Sequence, residues 1–546
     1  VANGSAPAPG GCVRRVTAWR LGLQWLPSVR DVQGGQVARR GRFGCVRGVL
    51  WVGVALLAAV PAPGGGLTGP VLDQGLAAEL VDVLQLPATA GSPPLARVGI
   101  LRELPDGSGR LFVNDLRGPL YVIQGGSLQT YLDLRVLAPA LDSSGLQMGF
   151  VSFAFHPEFA TNGLFYTAHT EAPGATPPNL EPAIPAAILH HAVVTEWQAS
   201  DPAANVFSGA PRELMRIAAP HTYHNLGEIG FDPNLAPGHA DYGLLYVAAG
   251  DFGSIELGEP GQLQRLDSVY GCLLRIDPLG GPFLRAGTLF PYGLPASNPF
   301  VSDGDPDTFG EIFAYGFRNP QNFHFDRGGA GTLFVAEIGQ GNVEEVDLPA
   351  AGANHGWPER EGSFALDVTV DPETVLPLPG NDPSYGFSYP VAQYDHEDGI
   401  AIAGGLAVRR DVSSPLQGKF VFGDISSGRL FYTDVAEMLA ADDGDPASMA
   451  SVYTLHLLRD GSETTLLQVV RDALGNPGIG RTDLRFSTDA SGRLFVTTKQ
   501  DGFIRELVPL RPAAVPALGP LGGLLLGGLL LAAVARQRTR SRPAGR

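Results

Sequence analysis

Residues 311–362 read EIFAYGFRNPQNFHFDRGGAGTLFVAEIGQGNVEEVDLPAAGANHGWPEREG. An Arg-Asn-Pro turn (Arg318, Asn319, Pro320) leads to a short apolar strand, Leu333 to Ala336. A Gly-rich loop follows (Gly339, Gln340, Gly341), then acidic strand residues, and the stretch closes on Asn354, His355, Gly356, Trp357 and Pro358. Turn residues, short strands and a few outward polar groups are what one blade of a β-propeller contributes to a site at its top face.

Outward from this stretch, a phrase recurs six times: a turn with Asp, Asn or Gly, then a short apolar-aromatic strand. The copies are DGSGRLFVND (106–115), FATNGLFYTAHT (159–170), ADYGLLYVAAGD (240–251), GGAGTLFVAE (328–337), LQGKFVFGD (416–424) and DASGRLFVTTKQDG (489–502). Their spacing exceeds the ~40–50 residues of a bare four-stranded blade, and inserted loops such as Pro173 to Pro185 and Gly287 to Asp307 account for the excess. Few helical periodicities lie between the copies, which favours an all-β closed array over α/β. The expectation is a single six-bladed β-propeller over residues 75–508.

Gly 72 and Pro 46 are about a fifth of the 546 residues, rich in turns yet short of a disordered composition, and 44% hydrophobic residues supply a core. Charge is uneven. Residues 1–62 hold eight Arg and one acid, and 513–546 hold five Arg and none, leaving 25 basic and 54 acidic residues between, a net of −29. Such a body repels the nucleic-acid backbone and suits neutral small molecules or cations as partners.

Residues 39–62 read as a secretory signal, with Arg39, Arg40, Arg42 and Arg47 ahead of the apolar run Val49 to Val60. Ala513 to Ala535 is uncharged over 23 residues and precedes Arg536, Arg538, Arg540 and Arg542. That is long enough to span a bilayer as a helix, and is read either as a tail anchor or as a cleaved C-terminal sorting signal. The expected location is exported, periplasmic or cell-surface, with C-terminal tethering to the membrane. Cys12 and Cys45 fall in the leader, so Cys272 stands alone in the body and no internal disulfide is expected.

His224 lies in HTYHNLGEIGFDPN (221–234), just before a strand, and a neutral imidazole suits removal of a hydroxyl proton at physiological pH. Gly250-Asp251 follows the next strand, and Gln147 sits in GLQMGFVSFAFHPEF (145–159). Together with Arg318-Asn319, this order of residues resembles the soluble glucose/sorbosone dehydrogenases, six-bladed propellers that use pyrroloquinoline quinone (PQQ). The resemblance covers roughly residues 90–508 and implies oxidation of an aldose or related sugar, with an external electron acceptor. It implies His224 as the base, Asp251 as its orienter and Arg318 over the quinone, where a fixed cation stabilises arriving electron density. Gln147 and Asn319 would contact the cofactor, His156 would shape the blade, and the carbonyls of Gly339 and Gln340 would face a Ca²⁺ ion.

The chain departs from the family where the cofactor's carboxylates are gripped. In GDISSGRLF (423–431) Ser426 stands at the family's Lys, and in GRTDLRF (480–486) Gly480 and Thr482 stand at its Arg pair, with only Arg481 between. Arg481, Arg429 and Lys499 are the neighbouring cations that would compensate. The first of these loops is closer to that of the propeller domain in Hedgehog-interacting protein, a relative that binds proteins. Two function classes therefore follow: a PQQ-dependent sugar dehydrogenase, and a non-catalytic exported propeller that binds a ligand or protein.

Overall fold

Each Gly-turn phrase forms the second strand of a four-stranded antiparallel sheet. This computed structural model describes residues 66–510 apart from 175, 181–186 and 410–411, so the expected leader and C-terminal segment lie outside the described residues. The six second strands are Leu111–Asp115, Leu164–Glu171, Leu245–Ala249, Leu333–Glu337, Lys419–Asp424 and Leu494–Thr498. Branched and aromatic side chains favour the extended backbone. Left-handed glycines in the turns ahead of them, such as Gly163 (φ 68) and Gly331 (φ 75), reverse the chain at little steric cost.

We number the sheets I to VI in chain order. Their first strands are Val98–Glu103, Phe150–Phe155, Leu226–Gly230, Asn322–Phe325, Ile402–Ala407 and Leu484–Thr488. These contact one another in sequence, and the sixth returns to the first, so the sheets close into a ring. A parallel pairing of Arg102 with Thr488 joins sheets VI and I. The fourth strand of sheet VI comes from the other end of the body: Ala77–Gln85 pairs antiparallel with Phe503–Leu510, and His456–Arg459 pairs parallel beyond it. Closure covers edges that would otherwise seek other chains.

Apolar faces pack between neighbouring sheets. Phe112, Phe153, Phe155, Phe165 and Trp197 fill the space between sheets I and II, and Tyr246, Phe313, Phe323 and Phe325 that between III and IV. Helices are short. The longest described, Leu466–Leu474, is capped by the Thr465 hydroxyl and ended by left-handed Gly475. No helix among the described residues is long and apolar enough to cross a membrane. Cys272 is a free, buried thiol whose pKa burial pushes up, which makes it inert.

One rim of the ring gathers the chemistry. In an antiparallel sheet the residues before the first strand and those after the second lie at the same end. Gln147, His224, Arg318 and Arg481 precede first strands, whereas Asp251, Gly339, Ser426 and Lys499 follow second strands. Residues up to 352 positions apart in sequence, Gln147 and Lys499, therefore share one rim.

Candidate active site

His224 and Asp251 form a buried pair, with Nδ1 2.6 Å from Asp251 Oδ1. His224 occupies the left-handed region (φ 50), an uncommon conformation that costs energy unless neighbours hold it. Two groups do so: its backbone N–H donates to Gln147 Oε1 (2.9 Å), and its carbonyl accepts from Phe252 N–H (3.2 Å). Gly250 is required by proximity, since a Cβ there would lie 2.3 Å from the His224 carbonyl oxygen.

Asp251 is tied on both sides. Its Oδ1 also accepts the Gly253 N–H (2.9 Å), and its own N–H donates to the Arg318 carbonyl (2.7 Å), linking sheet III to sheet IV. Burial pushes the Asp251 carboxyl up, but the charge and hydrogen bond of His224 outweigh it and hold it below the usual carboxylate range. The ionised carboxylate fixes Nδ1 as the protonated nitrogen and leaves Nε2 as the acceptor.

Arg318 is buried and spread over its loop. Nε donates to Gln340 Oε1 (2.8 Å), and Nη1 to the carbonyls of Ile338 (3.1 Å) and Gly339 (2.6 Å). Its guanidinium lies 5.7 Å from the Trp357 ring centroid, and Nη2 makes no hydrogen bond among the described residues. The N–H groups of Arg318 and Asn319 both donate to Glu337 Oε1. Asp251 Oδ2 and Asn319 Nδ2 are buried without partners, and orphaned polar atoms beside a His–Asp pair fit a polar ligand.

Two expected ligand groups already have partners. The Gly339 carbonyl accepts from Arg318 Nη1, and the Gln340 side-chain oxygen accepts from Arg318 Nε. Arg481 is bound to Asp483 (Nε–Oδ1 2.6 Å). Arg429 likewise binds Asp398 (2.8 Å). His156 is buried, and its Nδ1 faces the Glu158 N–H (3.0 Å) and Asn162 Nδ2 (2.9 Å), a turn-shaping role. His355 stacks on Phe317 with centroids 4.3 Å apart, and its Nδ1 lies 3.2 Å from Asp347 Oδ1.

Further oxygen donors of the type that suits a hard cation lie on one face of sheet IV. Glu337 pairs with Glu345 across two strands, and Asp347 follows on the same face. All three are buried with partnerless carboxylate oxygens. Burial first, and the Asp347 charge second, push Glu337 and Glu345 well above the ordinary carboxyl range. A Ca²⁺ ion would relieve this repulsion. Among the described residues, the group of ligand-type side chains converging within 4.8 Å is His224, Asp251 and Glu256. Two of these already bond each other and Glu256 is exposed. The acidic face was hidden in sequence because VEEVD (343–347) looks like a solvated strand, yet it is a covered third strand of its sheet.

The protein is a closed ring of small antiparallel sheets with a His–Asp pair at one rim. Its structure matches that of the soluble aldose sugar dehydrogenase of Escherichia coli in the apo form, at a TM-score of 0.52 and 20% identity, covering 80% of this chain and 100% of that one. The chain belongs to the Glucose / Sorbosone dehydrogenase family, whose sequence profile matches residues 99–451. It is 28% identical over 362 residues to the HIPL1 protein of Arabidopsis thaliana, covering 59% of this chain and 50% of that protein. It is 30% identical over 324 residues to mouse Hedgehog-interacting protein, covering 58% and 40%. The chain thus spans half or less of the length of these relatives.

Proposed function

We propose that the protein is a PQQ-dependent sugar dehydrogenase with His224 as catalytic base, and that its six sheets form a six-bladed β-propeller. The observation that carries this reading is the buried His224–Asp251 pair, drawn together with Arg318 and Gln147 at one rim. With its Nδ1–H committed to Asp251, His224 offers Nε2 to the proton of a sugar hydroxyl. As that O–H bond breaks, the oxygen's electrons form the carbonyl, and the carbon releases a hydride. When bound, PQQ supplies the two-electron acceptor for that hydride. Arg318 contributes a buried positive charge with Nη2 unspent, Asn319 Nδ2 adds an unused donor, and Glu337, Glu345 and Asp347 would hold Ca²⁺. An exported location, resting on residues 39–62, suits an external sugar, and mass spectrometry of the mature N-terminus would test it.

The experiment is direct. Purified protein with PQQ and Ca²⁺ is given a panel of aldoses, and reduction of an artificial electron acceptor is followed. Turnover is expected with at least one sugar; no rate with any of them at saturating PQQ would reject the enzyme reading.

A second reading has its own observation. The loop in which Ser426 replaces the family's Lys is tied down, its carbonyl accepting from Thr482 N–H (3.0 Å), and a relative is named for interacting with Hedgehog. On this reading the rim binds a ligand or protein without PQQ. Fluorescence titration separates the two: micromolar or tighter PQQ binding removes the binding-module reading.

A further inference from the structure

Two cations face the axis of the ring with no carboxylate of their own. The cavity there is lined by residues of sheets I to IV and VI and opens at its mouth. Gln147, Glu228, Gln321, Arg485 and Lys499 are among its walls. Arg485 stands on the first strand of sheet VI, and Lys499 follows the second.

Lys499 is only 6% exposed, and its ammonium makes no hydrogen bond or ion pair among the described residues. Arg485 is 8% exposed and spends one donor, Nη1, on the Leu484 carbonyl (2.7 Å). The nearby acids are taken. Glu228 is held by Arg102 on one oxygen and by Asn322 Nδ2 on the other (3.0 Å). Asp483 is held by Arg481 and by Gln500 Nε2 (2.6 Å). Arg97, behind them, donates to the carbonyls of Ser143 (2.7 Å), Gly145 (2.7 Å) and Leu146 (2.6 Å).

Burial, then the charge of Arg485, pushes Lys499 well below the usual amine range despite Asp483, and burial lowers Arg485 to about 10. A mostly buried ammonium without an ion pair is costly, and a bound anion lowers that cost.

We infer that the axial cavity is an anion subsite in which Lys499 and Arg485 clamp a carboxylate of a small polycarboxylate ligand. Gln147 connects it to the catalytic pair, since it lines the cavity and also accepts the His224 N–H. If the reading as a PQQ enzyme holds, the ligand is that cofactor, a tricarboxylate. Lys499 and Arg485 then take the place of the cations missing at Ser426, Gly480 and Thr482. Small free di- and tricarboxylates share the same chemistry.

Calorimetric titration of the full chain with PQQ, citrate and inorganic phosphate, in wild type, Lys499→Met and Arg485→Gln, separates the cases. At least one carboxylate probe should bind wild type, and each substitution should weaken it by about tenfold or more, as loss of a charged hydrogen bond does. Thermal melting should show Lys499→Met folded with an unchanged or higher midpoint; should it not fold, Arg485→Gln decides. Variant-sensitive binding of PQQ supports both subsite and cofactor. Variant-sensitive binding of citrate without PQQ supports the subsite and rejects the cofactor. PQQ binding equally tight in both variants overturns the subsite but leaves the cofactor standing. Phosphate binding as tight as that of the carboxylates overturns the carboxylate assignment, and no binding of any probe overturns the subsite altogether.

Discussion

His224→Ala removes the imidazole that takes the substrate proton, and turnover should fall by roughly 10²–10⁴-fold. PQQ affinity should change far less, because the imidazole works on the sugar hydroxyl. The same substitution strips buried Asp251 of its partner, so stability should drop by about 1–3 kcal/mol. Steady-state rates, PQQ titration and urea denaturation measure the three effects; full activity in the variant would move the base elsewhere. Asp251→Asn is the complementary test. An amide no longer fixes Nδ1 as the protonated nitrogen, so kcat should fall by roughly 10²–10⁴-fold with KM little changed. Because the Asp251 pKa is depressed in the fold, its contribution to stability is present above the unfolded carboxyl range and lost as pH falls through the folded value.

At the scale of the element, the ring depends on a strand borrowed from the other end of the body. Ala77–Gln85 buries Ala78 and Leu80 against its neighbours, and Asp82 reaches buried Arg505 (2.9 Å), which also binds Asp501 (2.5 Å). Leu80→Ala should cost about 2–5 kcal/mol by leaving a cavity at the closure. Removing residues through Gln85 should go further and expose Phe503–Leu510 as an open edge, which light scattering would detect as association. A truncated chain that stayed monodisperse with an unchanged melting midpoint would show that closure does not depend on this strand.

For the whole molecule, the pH dependence of stability should be set by the buried acids of sheet IV. Burial pushes Glu344 up to about 7, against hydrogen bonds from His396 and the Ile402 N–H. Between the ordinary carboxyl value and 7 the unfolded chain has lost this proton while the folded chain keeps it. Its contribution is therefore complete below about pH 4 and is lost as pH rises to 7, about 3 kcal/mol in all. Glu337 and Glu345 are raised in the same sense. Glu344→Gln should flatten the loss of stability between pH 5 and 7.5, measured by denaturant unfolding. Identical pH profiles for wild type and variant would show that another group dominates.

How much of this was legible in the sequence depends on the range of the interaction responsible. The six second strands could be read because a glycine turn followed by alternating apolar residues is a local pattern that each segment carries alone. That His224 and Asp251 belong together was implied by family likeness, whereas their 2.6 Å contact depends on the left-handed turn at His224 and the bare α-carbon of Gly250. Of the three cations eligible to replace the missing ones, the sequence reading favoured Arg481. The fold turns Arg481 to Asp483 and Arg429 to Asp398, leaving Lys499 facing the cavity. Local composition thus determined the strands, their number and the acidic body. Only the tertiary structure decided which charges meet a partner and which stay unpaired, because side-chain direction and burial are set by sheets that close across more than 400 residues of chain.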